Sequence, residues 1–189
     1  YLYYGGATGL ADEAAWTIEG PHVDAYLGYK VAAAGDVNGD GYADFAASAT
    51  GYDGDVANEG RVYVFYGSAS GPANSADWTA ESDQSAANFG ISLNGAGDIN
   101  GDGFDDLIVG ADLYDAGTAD EGAAFVWFGS ASGLGLPGNP VNADWVAESN
   151  QTTRYFAYFV GTPGDVNGDG FADIIVGAPI HDTEIDNAG

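Results

Sequence analysis

The sequence predicts an all-β fold, a β-propeller of about three four-stranded blades forming an incomplete ring or half of a six-bladed assembly. Three observations carry this. One fifteen-residue text recurs as GDVNGDGYADFAASA from Gly35, GDINGDGFDDLIVGA from Gly97 and GDVNGDGFADIIVGA from Gly164. The copies start 62 and 67 residues apart, a period that marks propeller blades or another array. A tryptophan (Trp16, Trp78, Trp145) stands twenty residues before the first aspartate of each copy, so the repeat extends well beyond the loops.

Each repeat supplies its strands in order. One strand enters the repeated loop and a second leaves it through the apolar segments 45–47, 107–109 and 174–176, which have strand length and no helical period. A third follows in the runs 62–66 and 124–128, each ending in a GSASG turn, and the tryptophan opens the fourth. The chain divides into a half-blade at 1–26, repeats at about 27–88 and 89–155, and a half-blade at 156–189. Residues 1–4 align with 63–66, and residues 187–189 align with 58–60, so the terminal half-blades are complementary. Two copies exchanging them would make a six-bladed homodimer with covered sheet edges. Any window cut from a longer tandem array shows the same complementarity, and the start at Tyr1 rather than Met is expected of a processed product or a piece.

The loops have a cation-chelating pattern. Asp36, Asn38, Asp40 and Asp44 stand at positions one, three, five and nine, and the backbone carbonyl of Tyr42 at position seven is a further oxygen donor. The equivalent sets are Asp98, Asn100, Asp102, Phe104 and Asp106, then Asp165, Asn167, Asp169, Phe171 and Asp173. Oxygen donors without His or Cys select calcium over zinc or copper, with magnesium the weaker candidate because it keeps its waters. About three calcium ions per chain are therefore expected, one to each loop. Asn-Gly and Asp-Gly also favour hairpin turns, but a turn alone does not require Asp at positions one, five and nine in every copy. An EF-hand is excluded because Ala47, Val109 and Val176 occupy position twelve, where a bidentate Glu belongs.

Taken together, these motifs resemble the FG-GAP repeats of the integrin alpha subunit propeller. Phe89-Gly90 and Gly177-Ala178-Pro179 are the two signatures. Leu27-Gly28 and Phe156-Ala157 modify the first, while Ser48-Ala49-Thr50 and Gly110-Ala111-Asp112 modify the second. The resemblance spans essentially the whole chain. It implies a calcium-binding propeller face and a role in adhesion or ligand recognition.

Composition narrows the function. Three Lys+Arg against 29 Asp+Glu give a formal charge of −26, which disfavours nucleic acid and anionic lipid. Three calcium ions would offset little of it, and the remainder fits a solvated surface suited to high salt. No apolar run reaches the eighteen or so residues of a membrane span. Without cysteines there are no disulfides or zinc clusters. Weak calcium modules suit the extracellular space, and a disulfide-free one is expected on a bacterial or archaeal surface rather than an animal one. The Asn150-Gln151-Thr152 sequon is a chance-level signal.

No catalytic motif stands out, and the expectation is a protein that is not an enzyme. The GSASG turns place Ala69 and Ala131 where a nucleophile elbow needs Ser. In a meander the cation loops and GSASG turns share one face. The opposite face gathers residues 19–26, 81–88 and 148–155 with 51–59, 112–121 and 180–187, which vary among repeats. A protein or glycan ligand, where there is one, is expected to contact this face; His22, Tyr52, Tyr114, Arg154, Tyr155 and His181 are its conspicuous side chains, each of which taken singly reads first as an ordinary surface residue. The tryptophans read as blade packing. The alternative role is a calcium-stiffened spacer or a non-catalytic domain of a larger secreted enzyme.

Overall fold

The computed structural model describes residues 1–150 and 155–179. Arg154, His181, the loop 180–187 and the matching of residues 187–189 lie outside the described residues. Two four-stranded antiparallel meanders form the body. The first runs β3 (Leu27–Gly35), β4 (Asp44–Ala49), β5 (Arg61–Phe65) and β6 (Trp78–Glu81). The second runs β7 (Ser92–Gly97), β8 (Asp106–Ala111), β9 (Ala123–Trp127) and β10 (Trp145–Glu148). A two-stranded sheet, β11 (Phe159–Gly164) with β12 (Asp173–Gly177), begins a third blade, and the ring is not closed. Each repeated loop joins the first two strands of its blade, as its sequence requires.

Alternation along β8 shows how the blades stack. Side chains of successive strand residues point to opposite faces. Leu107 and Val109 enter a core shared with Val62, Val64 and Trp78 of the first blade, while Ile108 packs with Val160, Ile174 and Val176 of the third. A sheet buried on both faces explains the unbroken apolar run Leu107, Ile108, Val109. Phe89 is fully buried against Phe125 and Trp127, at centroid distances of 6.0 and 6.2 Å. At Gly90, φ is +82° and a Cβ would stand 2.6 Å from Ser48 Cβ, so this junction between blades needs glycine.

The N-terminal segment takes the place expected of a third and a fourth strand, but more sparsely. Its regular pairing is the small hairpin β1 (Gly5–Gly6) and β2 (Gly9–Leu10), together with an isolated antiparallel bridge between Leu2 and Trp16. That bridge has the register of Val64 with Trp78 in the first full blade. Trp16 packs edge-on to Phe45 and Phe65 at 5.6 and 5.0 Å.

Candidate cation loops

The three loops fold alike because their side chains substitute for missing backbone partners. In the first, Asp36 Oδ1 accepts the Asp40 N–H at 3.0 Å and Oδ2 accepts the Gly41 N–H at 2.9 Å. Asn38 Oδ1 also accepts the Asp40 N–H at 3.0 Å, and its amide donates to Asp40 Oδ2 at 3.1 Å. Asp40 Oδ1 accepts the Tyr42 N–H at 2.9 Å. The same bonds recur at Asp98, Asn100 and Asp102, and again at Asp165, Asn167 and Asp169. Of these nine residues Asp36, Asn38 and Asp98 are half-buried and the other six are exposed.

Position nine differs in environment. Asp44 and Asp106 are buried, and each ties two segments together. Asp44 accepts from Val37 N–H at 2.9 Å and Gly67 N–H at 2.8 Å, and Asp106 accepts from Ile99 N–H at 2.8 Å and Gly129 N–H at 2.9 Å. The GSASG turns are thereby anchored to the cation loops on one face. Asp173 makes the first of these bonds, to Val166 N–H at 2.8 Å. Burial pushes Asp106 up to about 6; its two backbone donors oppose this, while the charges of Asp102 and Asp98 add to it. Asp44 is raised, again chiefly by burial, and Asp40 and Asp36 contribute. Asp165, with its carboxylate exposed to several backbone N–H groups, Gly170 foremost, is lowered.

Among the described residues no three Asp, Glu, His or Cys side chains are grouped so as to hold a metal ion. The oxygen-only donor set fits a hard cation in kind. In this structure its carboxylates are engaged by backbone N–H groups, and the crowding of like charges at Asp98, Asp102 and Asp106 is what a cation would relieve.

Neighbouring loops also touch. The Phe104 ring lies on Gly39 and the Phe171 ring on Gly101, so a Cβ on either glycine would collide with the ring. The backbone N–H groups of Asp105 and Ala172 donate to the carbonyls of Asp36 and Asp98, at 3.2 and 2.9 Å.

A family model described as FG-GAP repeat matches residues 27–65, 89–127 and 157–189. The chain belongs to the FG-GAP repeat family. Each match begins at or beside an FG-type signature and holds one loop together with the strands around it. Among curated relatives of this FG-GAP chain, Integrin alpha-PS5 of Drosophila melanogaster is 34% identical over 85% of the chain. Integrin alpha-V of Gallus gallus is 32% identical over 90%, and Integrin alpha-5 of Xenopus laevis 30% identical over 86%. The chain spans 16% of the length of each. These relatives are animal proteins and lend no support to a prokaryotic origin.

On the opposite face, His22 Nε2 accepts the Asp53 N–H at 3.2 Å and the His22 ring lies 6.0 Å from Tyr52. Tyr114 is not a free surface aromatic: it packs edge-on to Phe125 at 5.1 Å as part of the core margin. Tyr155 faces Tyr158 at 6.4 Å. Sequence reasoning passed over Glu59 and Glu121, which are fully buried. Their signal was present, since each stands before a glycine at the same place in its repeat.

No described helix is long and apolar enough to cross a membrane.

Proposed function

We propose that the chain is a calcium-binding, integrin-like propeller module for extracellular adhesion or ligand recognition, without catalytic activity of its own. The observation that carries this is the repetition of one oxygen-only donor set in three loops stitched together on one face, in a chain related to integrin alpha subunits. Asp36, Asn38, Asp40, the Tyr42 carbonyl and Asp44 would hold the first ion, with Asp98 to Asp106 and Asp165 to Asp173 holding the others. Bound calcium would supply positive charge that offsets carboxylate repulsion and fixes the loops. The residues themselves position backbone N–H groups and anchor the GSASG turns, leaving the opposite face to carry a protein or glycan contact. Calorimetric titration with calcium, expected to give about three sites per chain, tests the metal reading. An array of matrix proteins and glycans tests recognition against a spacer role.

The third blade has two described strands, and its outer neighbour Trp145 is 40% exposed, whereas Trp78 is 2% exposed. Further blade strands at the β12 edge would cover Trp145, and a second copy exchanging half-blades has the complementary register. Light scattering with calcium present tests this: a monodisperse monomer removes the exchanged dimer.

A further inference from the structure

Glu59 ends the loop between β4 and β5, is fully buried, and has no hydrogen-bond partner at either carboxylate oxygen. Gly54 of the same loop closes over it. A Cβ on Gly54 would collide with Glu59 Oε1 and stand 2.7 Å from Glu81 Oε2, so the carboxyl groups of Glu59 and Glu81 converge on one place. The other oxygen of Glu81 is held by Arg61, whose guanidinium lies 3.7 Å over the Tyr52 ring. Arg61 Nε and Tyr63 Oη are buried without partners in the same cluster. Glu81 and Asp83 face Glu59 from β6 and the residues after it, and Asp55 lies in its own loop. Tyr52, Tyr63 and Arg61 complete the titratable and charged surroundings. The one cation in this set is already paired with Glu81. An ionised Glu59, buried beside the part-buried Glu81, would be left without a compensating charge, which is strongly unfavourable.

Glu121 is the internal comparison. It stands 62 residues later at the matching position and is equally buried. Its loop is equally long, eleven residues separating β8 from β9 as they separate β4 from β5, but there the N–H groups of Ala116 and Thr118 donate to Oε1 at 3.1 and 2.9 Å. Ala123 replaces Arg61, and Glu148, the counterpart of Glu81, is exposed. Glu121 is therefore a backbone-capped carboxylate, whereas Glu59 has no comparable donors.

We propose that Glu59 and Glu81 share one proton, forming a carboxyl–carboxylate hydrogen bond that latches the 51–60 loop onto β6 and lets go when the proton is lost to solvent. Burial first, then the charge of Glu81, hold Glu59 above the ordinary carboxylate range; the nearby Asp55 N–H offsets part of this. For Glu121 burial alone would do the same, but donors from Thr118, Gly117 and Ala116 outweigh it and the group is lowered. The signs are opposite. With a raised folded value, Glu59 contributes stability that is fully present below the unfolded carboxylate range and is lost as pH rises through its folded value. Glu121 contributes stability that is present above the unfolded range and is lost as pH falls through its folded value. Because the latched loop carries Tyr52 and Asp53, the latter bonded to His22, the proton regulates the shape of the variable face.

Thermal melts of the wild type, Glu59→Gln and Glu121→Gln between about pH 4 and about pH 8, at fixed calcium, test the latch. The side-chain amide introduced by Glu59→Gln keeps a donor for Glu81 at every pH, so this variant melts roughly a few degrees above wild type at the alkaline end and the gap closes in acid. Glu121→Gln melts below wild type at the alkaline end. If Glu59→Gln instead falls together with Glu121→Gln, Glu59 is an ionised, stabilising carboxylate and the latch is wrong. Should Glu59→Gln not fold, the side-chain carboxyl carbon of Glu59 is titrated by NMR in the wild type. A midpoint above the ordinary glutamate range supports the shared proton, and one at or below that range overturns it.

Discussion

Asp105 is joined to Asp36 across the boundary between two blades by a reciprocal pair of bonds. Its Oδ2 accepts the Asp36 N–H at 2.8 Å while its own N–H donates to the Asp36 carbonyl at 3.2 Å. Position eight of one loop thus grips position one of the loop before it. At the next boundary Ala172 has only the backbone half, to Asp98 at 2.9 Å.

Removing that side chain orphans a part-buried N–H. Asp105→Ala is expected to cost about 1–3 kcal/mol, the range for an unsatisfied donor. Asp105→Asn, which keeps an acceptor oxygen, should lose less. Urea denaturation of the two variants measures the difference; equal losses would mean that the side-chain bond contributes nothing.

Much of this architecture was legible because the repeat reports itself. The loop spacing, the GSASG turns and the register of Trp16, Trp78 and Trp145 are properties of the linear text, and the strands lie within a residue or so of the apolar runs. What crosses between blades was not legible. Nothing in the spacing shows that both oxygens of Asp44 meet backbone N–H groups from Val37 and Gly67, or that Tyr114 turns into the core. Glu59 and Glu121 look alike in sequence and sit in loops of equal length, and their difference comes from the backbone donors Ala116 and Thr118 beside Glu121 and from Arg61 standing where the second blade has Ala123. Those are consequences of packing, which a local pattern does not encode.

Two loop glycines separate backbone strain from contact between loops. Gly39 and Gly41 have φ of +71° and +87°. A Cβ at Gly41 meets open space, whereas one at Gly39 collides with the Phe104 ring. Gly41→Ala should therefore cost about 1–2 kcal/mol from left-handed backbone alone. Gly39→Ala should cost distinctly more, and Phe104→Ala should bring the two costs closer together. Equal costs in the wild-type background would show that the ring yields freely.

The tryptophans should form a graded series. Trp78 is 2% exposed, packs on Trp127 at 5.4 Å and donates to the Gly135 carbonyl at 2.8 Å. Trp16 donates to the Ala73 carbonyl at 3.1 Å, the same 57-residue offset. For Trp145 that offset falls past Gly189, and the ring is 40% exposed. Trp78→Ala is expected to cost about 3–5 kcal/mol, as a full aromatic truncation in a core does. Trp16→Ala should fall between, and Trp145→Ala should be mildest. Equilibrium unfolding of the three variants checks the ranking, and a severe loss at Trp145 would indicate that a partner covers it in solution.

Calcium removal tests the loops as a group. Two carboxylates about 5 Å apart repel by roughly 3 kcal/mol at an effective dielectric near 20. The crowding that raises Asp106 has the same origin in part. A cation held at about twenty times its dissociation constant would add roughly 1.8 kcal/mol per loop. Three independent loops would then contribute about 5 kcal/mol, which is comparable to the whole net stability of a small domain. A chelator should lower the melting temperature clearly, and Asp36→Asn, Asp98→Asn and Asp165→Asn should each reduce the calcium stoichiometry by one. The Asp165 variant should disturb the rest of the fold least, because its loop lies in the blade with only two described strands. A melt that the chelator leaves unmoved, with an unchanged stoichiometry in all three variants, would leave the loops as turns and nothing more.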